Sequence, residues 1–129
     1  MENKDPEEAF LSTIHHALRA TRRRHVIQLV GTSDQPTFHV SDLAREIAAR
    51  EHGLRIEHAT GEPYRNTYNA LSQTHLPMLE EAGILIYDPM RQTVSPGSNL
   101  TMALLIIAIS RPTVDILGNI DSHNGVEPQ

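Results

Sequence analysis

His75-Leu76-Pro77-Met78-Leu79-Glu80-Glu81-Ala82-Gly83-Ile84-Leu85-Ile86-Tyr87 runs from the end of a helix, through a glycine stop, into a β-strand. Gly83 can take the left-handed geometry that ends a helix, and Ile84 to Tyr87 have the branched, apolar character of a strand. Downstream, Asp88-Pro89-Met90-Arg91 signals a turn, because proline sets φ for the second turn position and Asp accepts from the backbone that follows. Gln92-Thr93-Val94 returns as a second strand, which puts Arg91 at or near the hairpin tip. Upstream, the spacing predicts a helix from about Tyr64 to Ala82. Tyr68, Leu71, His75, Leu79 and Ala82 recur at steps of three or four on its inner side, leaving Arg65, Asn66, Asn69 and Gln73 facing outward. Pro77 removes the backbone bond to the Gln73 carbonyl and predicts a kink near residues 73–77.

A chain of 129 residues fits one domain with a continuous core. With aromatic residues at 4% and no Trp, that core has to come from Leu, Ile, Val and Ala, which suits helices better than a sandwich. The absence of Cys excludes disulfides and thiolate metal sites, and with no basic-then-apolar leader the expected location is intracellular, in the cytoplasm. Asp5-Pro6-Glu7-Glu8 is a helix opening with Asp5 as N-cap, followed by the stripe Phe10, Leu11, Ile14, Leu18. Thr21 is expected to cap a second helix carrying Val26, Ile27, Leu29 and Val30, which ends near Gly31; Thr37 to Val40 reads as a short strand. Ser41 is expected to cap a third helix, with Leu43, Ala44, Ile47 and Ala48 forming its buried face until Gly53. Residues 54–62 have no clean period and read as an extended connection.

The blocks Arg22-Arg23-Arg24-His25-Val26, Ser41-Asp42-Leu43-Ala44-Arg45-Glu46-Ile47-Ala48 and Tyr68…Thr74-His75-Leu76-Pro77-Met78-Leu79 together resemble uncharacterised winged-helix domains common in halophilic archaea. His75-Leu76…Leu79…Ala82-Gly83-Ile84 also resembles the end of the recognition helix in winged helix-turn-helix repressors of the arsenic-repressor type. The resemblance covers roughly residues 20–95 and implies a mostly α fold with a small β-wing, DNA binding and transcriptional control of the repressor kind. The chain departs from better-known repressors in its long connection before the recognition helix and in the proline within that helix. The expected organisation is an N-terminal helix (1–20), a winged helix-turn-helix domain (21–97), a C-terminal dimerisation helix (98–118) and a flexible tail (119–129).

Reading DNA requires Arg, Asn or Gln at base edges and cations, hydroxyls or amides at phosphates. Arg65, Asn66, Asn69 and Gln73 meet the first need; Ser72, Thr74 and the wing residue Arg91 meet the second. The net charge of −5 weighs against this, although residues 19–65 hold eight Arg against six acids. Ten Arg against one Lys fits either a GC-rich genome or selection for bidentate contacts. The run Arg22 to Arg24 reads as structural, pairing with acids such as Asp42 or Glu46, and His75 as a packing residue. The remaining histidines show no metal-ligand spacing, so no metal or cofactor is expected. No nucleophile–base pair, phosphate loop or carboxylate pair appears, so no enzyme is expected.

Leu100 to Ile109 is almost wholly apolar but too short to cross a bilayer, which needs about 20 residues. All-round hydrophobicity demands burial on more than one side, and a dimer seam built from Phe10, Ile14, Leu100, Leu104, Leu105, Ile107 and Ala108 supplies it. A core helix in a monomer is the competing explanation. A homodimer places two recognition helices about 34 Å apart on double-stranded DNA and favours an inverted-repeat operator. The alternative is a winged helix used for protein interaction, kept off nucleic acid by its acidity.

Overall fold

The computed structural model describes residues 5–110. Its elements are α1 (Pro6–Ala17), α2 (Thr21–Gly31), β1 (Phe38–His39), α3 (Val40–His52), a 3₁₀ turn (Ile56–His58), α4 (Gly61–Ala70), a π turn (Leu71–His75), α5 (Leu76–Glu81), β2 (Leu85–Asp88), β3 (Thr93–Pro96) and α6 (residues 100–110). The protein is mostly helical with a small antiparallel sheet in the order β1-β3-β2. Residues 111–118 of the expected C-terminal helix, and the expected tail, lie outside the described residues. Among the described residues no helix is long and apolar enough to cross a membrane.

The core is aliphatic, as the composition requires. Ile14 of α1, Val26, Ile27 and Val30 of α2, and Leu43 and Ile47 of α3 meet Leu71, Leu76 and Leu79, with Ile84, Leu85 and Val94 closing it from the sheet. Alternation decides the hairpin faces: Leu85 and Tyr87 point inward and Ile86 outward, with Tyr87 opposite Val94. Leu100 and Ala103 of α6 join the same core. α6 lies so close to the end of α2 that a Cβ on Gly31 would come within 2.5 Å of Leu104.

Helix ends show where local chemistry decides the boundaries. The Asp5 carboxylate accepts from the Glu7 N–H at 3.0 Å, with Pro6 at the first helical position. The far end of α1 is closed by the arginine run: Arg23 donates to the Ala17 and His16 carbonyls, and Arg24 to those of Leu18 and Arg19. Carbonyls at the end of a helix lack regular intrahelical partners, and a cation there also suits the helix dipole. The structural reading of Arg22 to Arg24 therefore holds, but the acid is Glu51, which accepts from Arg22 at 2.6 and 2.8 Å. Asp42 and Glu46 lie on a different part of α3.

Four boundaries differ from expectation. Thr21 is the first residue of α2 and not its cap; Ala20 holds the N-cap position, with no side-chain bond to the helix end. Ser41 is not the N-cap of α3; the helix opens two residues earlier, with His39 at the N-cap position, because the Val40 N–H donates to the Gln92 carbonyl at 3.0 Å. Pairing with the hairpin satisfies that N–H without a capping side chain. The connection after Gly53 is not extended throughout. It coils into the 3₁₀ turn, and Ala59, fully buried, anchors it against Ala48 and Ala49. α4 then starts at Gly61, with Pro63 inside its first turn, where a missing N–H costs nothing.

The glycine stop holds as read. Gly83 has φ +72; its N–H donates to Glu80 and that of Ile84 to Leu79, the paired bonds that seal a helix end. The Asn99 side chain crosses over to donate to the Ala82 carbonyl at 2.9 Å, which ties the start of α6 to this stop. A Cβ on Gly83 would lie 2.6 Å from Asn99 Nδ2. Gly83→Ala is therefore expected to destabilise the fold by about 1–3 kcal/mol in urea melts, through the left-handed backbone and the displaced Asn99 bond. Gly53→Ala, also left-handed but facing open space, should cost less.

Candidate nucleic-acid interface

The helical rod α4–π turn–α5 carries the candidate face. Its fully buried positions are Thr67, Leu71, Leu76 and Leu79. The step of five between Leu71 and Leu76 is the mark of the π turn, where the Leu76 N–H reaches back to the Leu71 carbonyl. The expected kink site thus takes the form of one extra residue just ahead of Pro77, where the proline ring crowds the carbonyl four residues back. One residue is about 100° of rotation, so Leu76 and not His75 occupies the core position and His75 moves to the core edge.

Arg65, Asn66, Asn69, Gln73 and Thr74 are all exposed along this rod. At its start, the Arg45 guanidinium of α3 lies 5.6 Å from the Tyr64 ring centre, and Tyr64 leans on Tyr68 at 6.0 Å. Burial and the neighbouring tyrosines push the Tyr68 hydroxyl above its ordinary value. Arg91 stands at the hairpin tip with its side chain 82% accessible, 4.0 Å from Asp88. Asp88 organises the tip, accepting from the N–H groups of Met90 and Arg91 as the turn signal predicts.

Ser72 is placed differently from expectation. It is half-buried and donates to Gln92 Oε1 at 2.9 Å, so its hydroxyl is committed within the chain and does not point to an outside phosphate. Gln92 is the joint of the region. Its Nε2 donates to the Tyr87 hydroxyl at 2.8 Å and to the Pro89 carbonyl at 3.0 Å, while its own carbonyl receives the Val40 N–H. Its φ of +53 is the one left-handed non-glycine backbone among the described residues. Such strain persists where surrounding bonds over-determine it. Gln92 thereby fixes the hairpin to the outward helix and to the start of α3; nothing in its sequence context announced this role.

A second joint lies behind the face. Arg23 is 6% exposed and its Nη1 sits 3.1 Å from His75 Nδ1 and 3.2 Å from Met78 Sδ. A guanidinium has only donors, so Nδ1 is the acceptor and the His75 proton sits on Nε2. Burial, then the charges of Arg23 and Arg22, hold His75 below its ordinary value, and Glu51 opposes them weakly. Burial also lowers His25, with Arg50 and Arg24 adding to the effect.

A family model described as a domain of unknown function (DUF7344) matches residues 15–95. The chain belongs to that family. No curated protein and no solved structure matches it. The family match begins within α1 and ends within β3, so it takes in the outward helix, the hairpin and both joints, and leaves out α6.

The residues expected at a dimer seam divide in two. Ile14 and Leu100, at 0% and 8% exposure, belong to the chain's own core and leave almost no surface for a partner, which corrects that part of the expectation. Leu104 and Ile107 are half-buried against the core; Phe10, Leu105 and Ala108 are exposed. Among the described residues no three His, Asp or Glu side chains gather as a metal site.

Two outcomes test the joints. Because the folded His75 binds its proton less readily than the unfolded chain, its contribution to stability is present above the ordinary value of 6.5 and is lost as pH falls below it. His75→Gln keeps an acceptor for Arg23 without titrating, so the loss of stability between about pH 7 and pH 5 should be shallower than in the parent chain, read by urea melts across pH. Gln92→Ala leaves Ser72 and Tyr87 without their partner and should cost about 1–3 kcal/mol in the same assay.

Proposed function

We propose that this chain is a winged helix-turn-helix DNA-binding regulator that acts as a homodimer. The observation that carries it is the row of exposed Arg65, Asn66, Asn69, Gln73 and Thr74 on a helix braced through Ser72 and Gln92 to a hairpin tipped by Arg91. A major groove admits one helix, and the residue types on this row suit it: Arg pairs with guanine O6 and N7, Asn or Gln with adenine N6 and N7. Thr74 is placed for a phosphate, and the wing carries Arg91 to the flanking backbone. The strand order β1-β3-β2, with the hairpin directly after the outward helix, supports the winged-helix assignment.

The dimer is drawn from α6, where Leu105 is 57% and Ile109 73% exposed. Two copies joined there present two outward helices to an inverted repeat, and the regulator represses by occluding it. A second reading, a protein-interaction module without DNA binding, draws on the net charge of −5 and on the apolar Ile86 and Met90 displayed by the hairpin.

Binding of the full chain to its own upstream DNA and to scrambled DNA, measured across a salt series, separates the two. The proposed reading expects selective, salt-sensitive binding, with Arg65→Ala weakening the upstream site at least about tenfold and reducing its preference over scrambled DNA. Equal weak binding to both DNAs, or none, favours the protein-interaction reading.

A further inference from the structure

A cavity of about 530 Å3 opens between the end of α1, the outer side of α2 and residues 106–110 of α6. Its apolar lining comes from Leu18, Ile106 and Ile107, and its polar lining includes Arg19, Arg24 and His25. The volume is that of a small-molecule site, which is commonly apolar with a few placed polar groups. The charge is one-sided: in a chain of net charge −5, no carboxylate is among the described residues that line it. Arg24 is partly committed, since its guanidinium closes the end of α1. Arg19, which also lines the cavity, is exposed and makes no ion pair among the described residues. His25 Nδ1 is buried with no hydrogen-bond partner among the described residues. Arg50 and Glu51 lie near His25 from α3, and Glu81 shares the adjoining depression with Arg19, so acids lie around the cavity but not on its lining.

We propose that this cavity binds a small amphipathic organic anion, its apolar body on Leu18, Ile106 and Ile107 and its acid group at Arg19. Two features select this class over others. A cationic amphiphile would meet Arg19 and Arg24 with no counter-charge on the lining. A fully polar anion would leave the apolar lining in contact with water it could otherwise shed. The site is separate from the outward helix and hairpin, and it stands or falls without the DNA reading.

The probe is 8-anilinonaphthalene-1-sulfonate, titrated against the full chain and followed by fluorescence, with competition by octanoate, octanol and octylamine. The expected result is saturable binding of one dye per chain, displaced by octanoate and at least tenfold less well by octanol or octylamine. Arg19→Glu and, separately, Gln28→Glu, which sets a carboxylate on the lining, should each weaken the dye about tenfold with the thermal melt unchanged. Arg55→Glu makes the same charge change as Arg19→Glu on a side chain 75% exposed outside the cavity and should leave the dye unaffected. Equal weakening by Arg55→Glu, equal competition by octylamine, or no effect of either cavity variant would overturn the proposal, as would the absence of saturable binding.

Discussion

Pro77 is the constraint on which the arrangement turns. A proline inside a helix removes one bond and crowds the carbonyl four residues before it, at a cost of about 3 kcal/mol in an unbroken α-helix. The chain meets that demand with the π turn at Leu71–His75, and the extra residue re-phases everything downstream. Leu76 enters the core, His75 swings to where Arg23 can reach it, and Ser72 turns toward the hairpin to meet Gln92. Gln73 and Thr74 are exposed side by side within the π turn. One backbone irregularity sets both the inner contacts and the outer face of the same rod.

The second dependence is on Arg23. A guanidinium at 6% exposure is expensive to desolvate unless its donors are used, and here they reach two α1 carbonyls, an imidazole nitrogen and a thioether. The lowering of Arg23 below its ordinary value by burial is the residue of that cost. The arrangement ties the end of α1 to α5, so the N-terminal helix and the outward rod share one buried cation. Arg22 extends the tie outward to α3 through Glu51, whose carboxylate is held below its ordinary value by that bond.

Much of this was legible in the sequence because it rests on local chemistry. Asp5, Gly53, Gly83 and the Asp88-Pro89 turn each act within a few residues, and each holds as read. The aliphatic stripes of α2 and α3 were legible for the same reason, period and burial being two views of one face. The misses are non-local. Ser41 lost its capping role to a strand pairing with residues fifty positions on. A step-of-four count carried His75 into the core because a period cannot show an inserted residue; Pro77 announced a disturbance without its phase. Gln92 and Ser72 lie twenty positions apart, and their bond exists only once hairpin and rod are both folded. Of the candidate site, the exposed row was readable from spacing, whereas the joints that hold it were not.

Net charge is the apparent objection to DNA binding, but the charges near the outward rod count for more than the total. At 0.1 M salt, charges more than about 10 Å from a phosphate are largely screened, so the charges that weigh most on DNA binding are those on or beside the outward rod. What matters is the local set: Arg45, Arg65 and Arg91 against Glu62 in the first turn of α4, Asp88 beside Arg91, and Glu80 and Glu81 on α5. That balance is close to neutral, so under the proposed reading counterion release supplies only a few contacts per protomer and non-specific binding is weak. Affinity then has to come from base-edge bonds and from doubling the interface in a dimer. Both make the rigidity of the rod-to-hairpin joint decisive, since a helix and a wing that move independently cannot hold several base contacts in register at once.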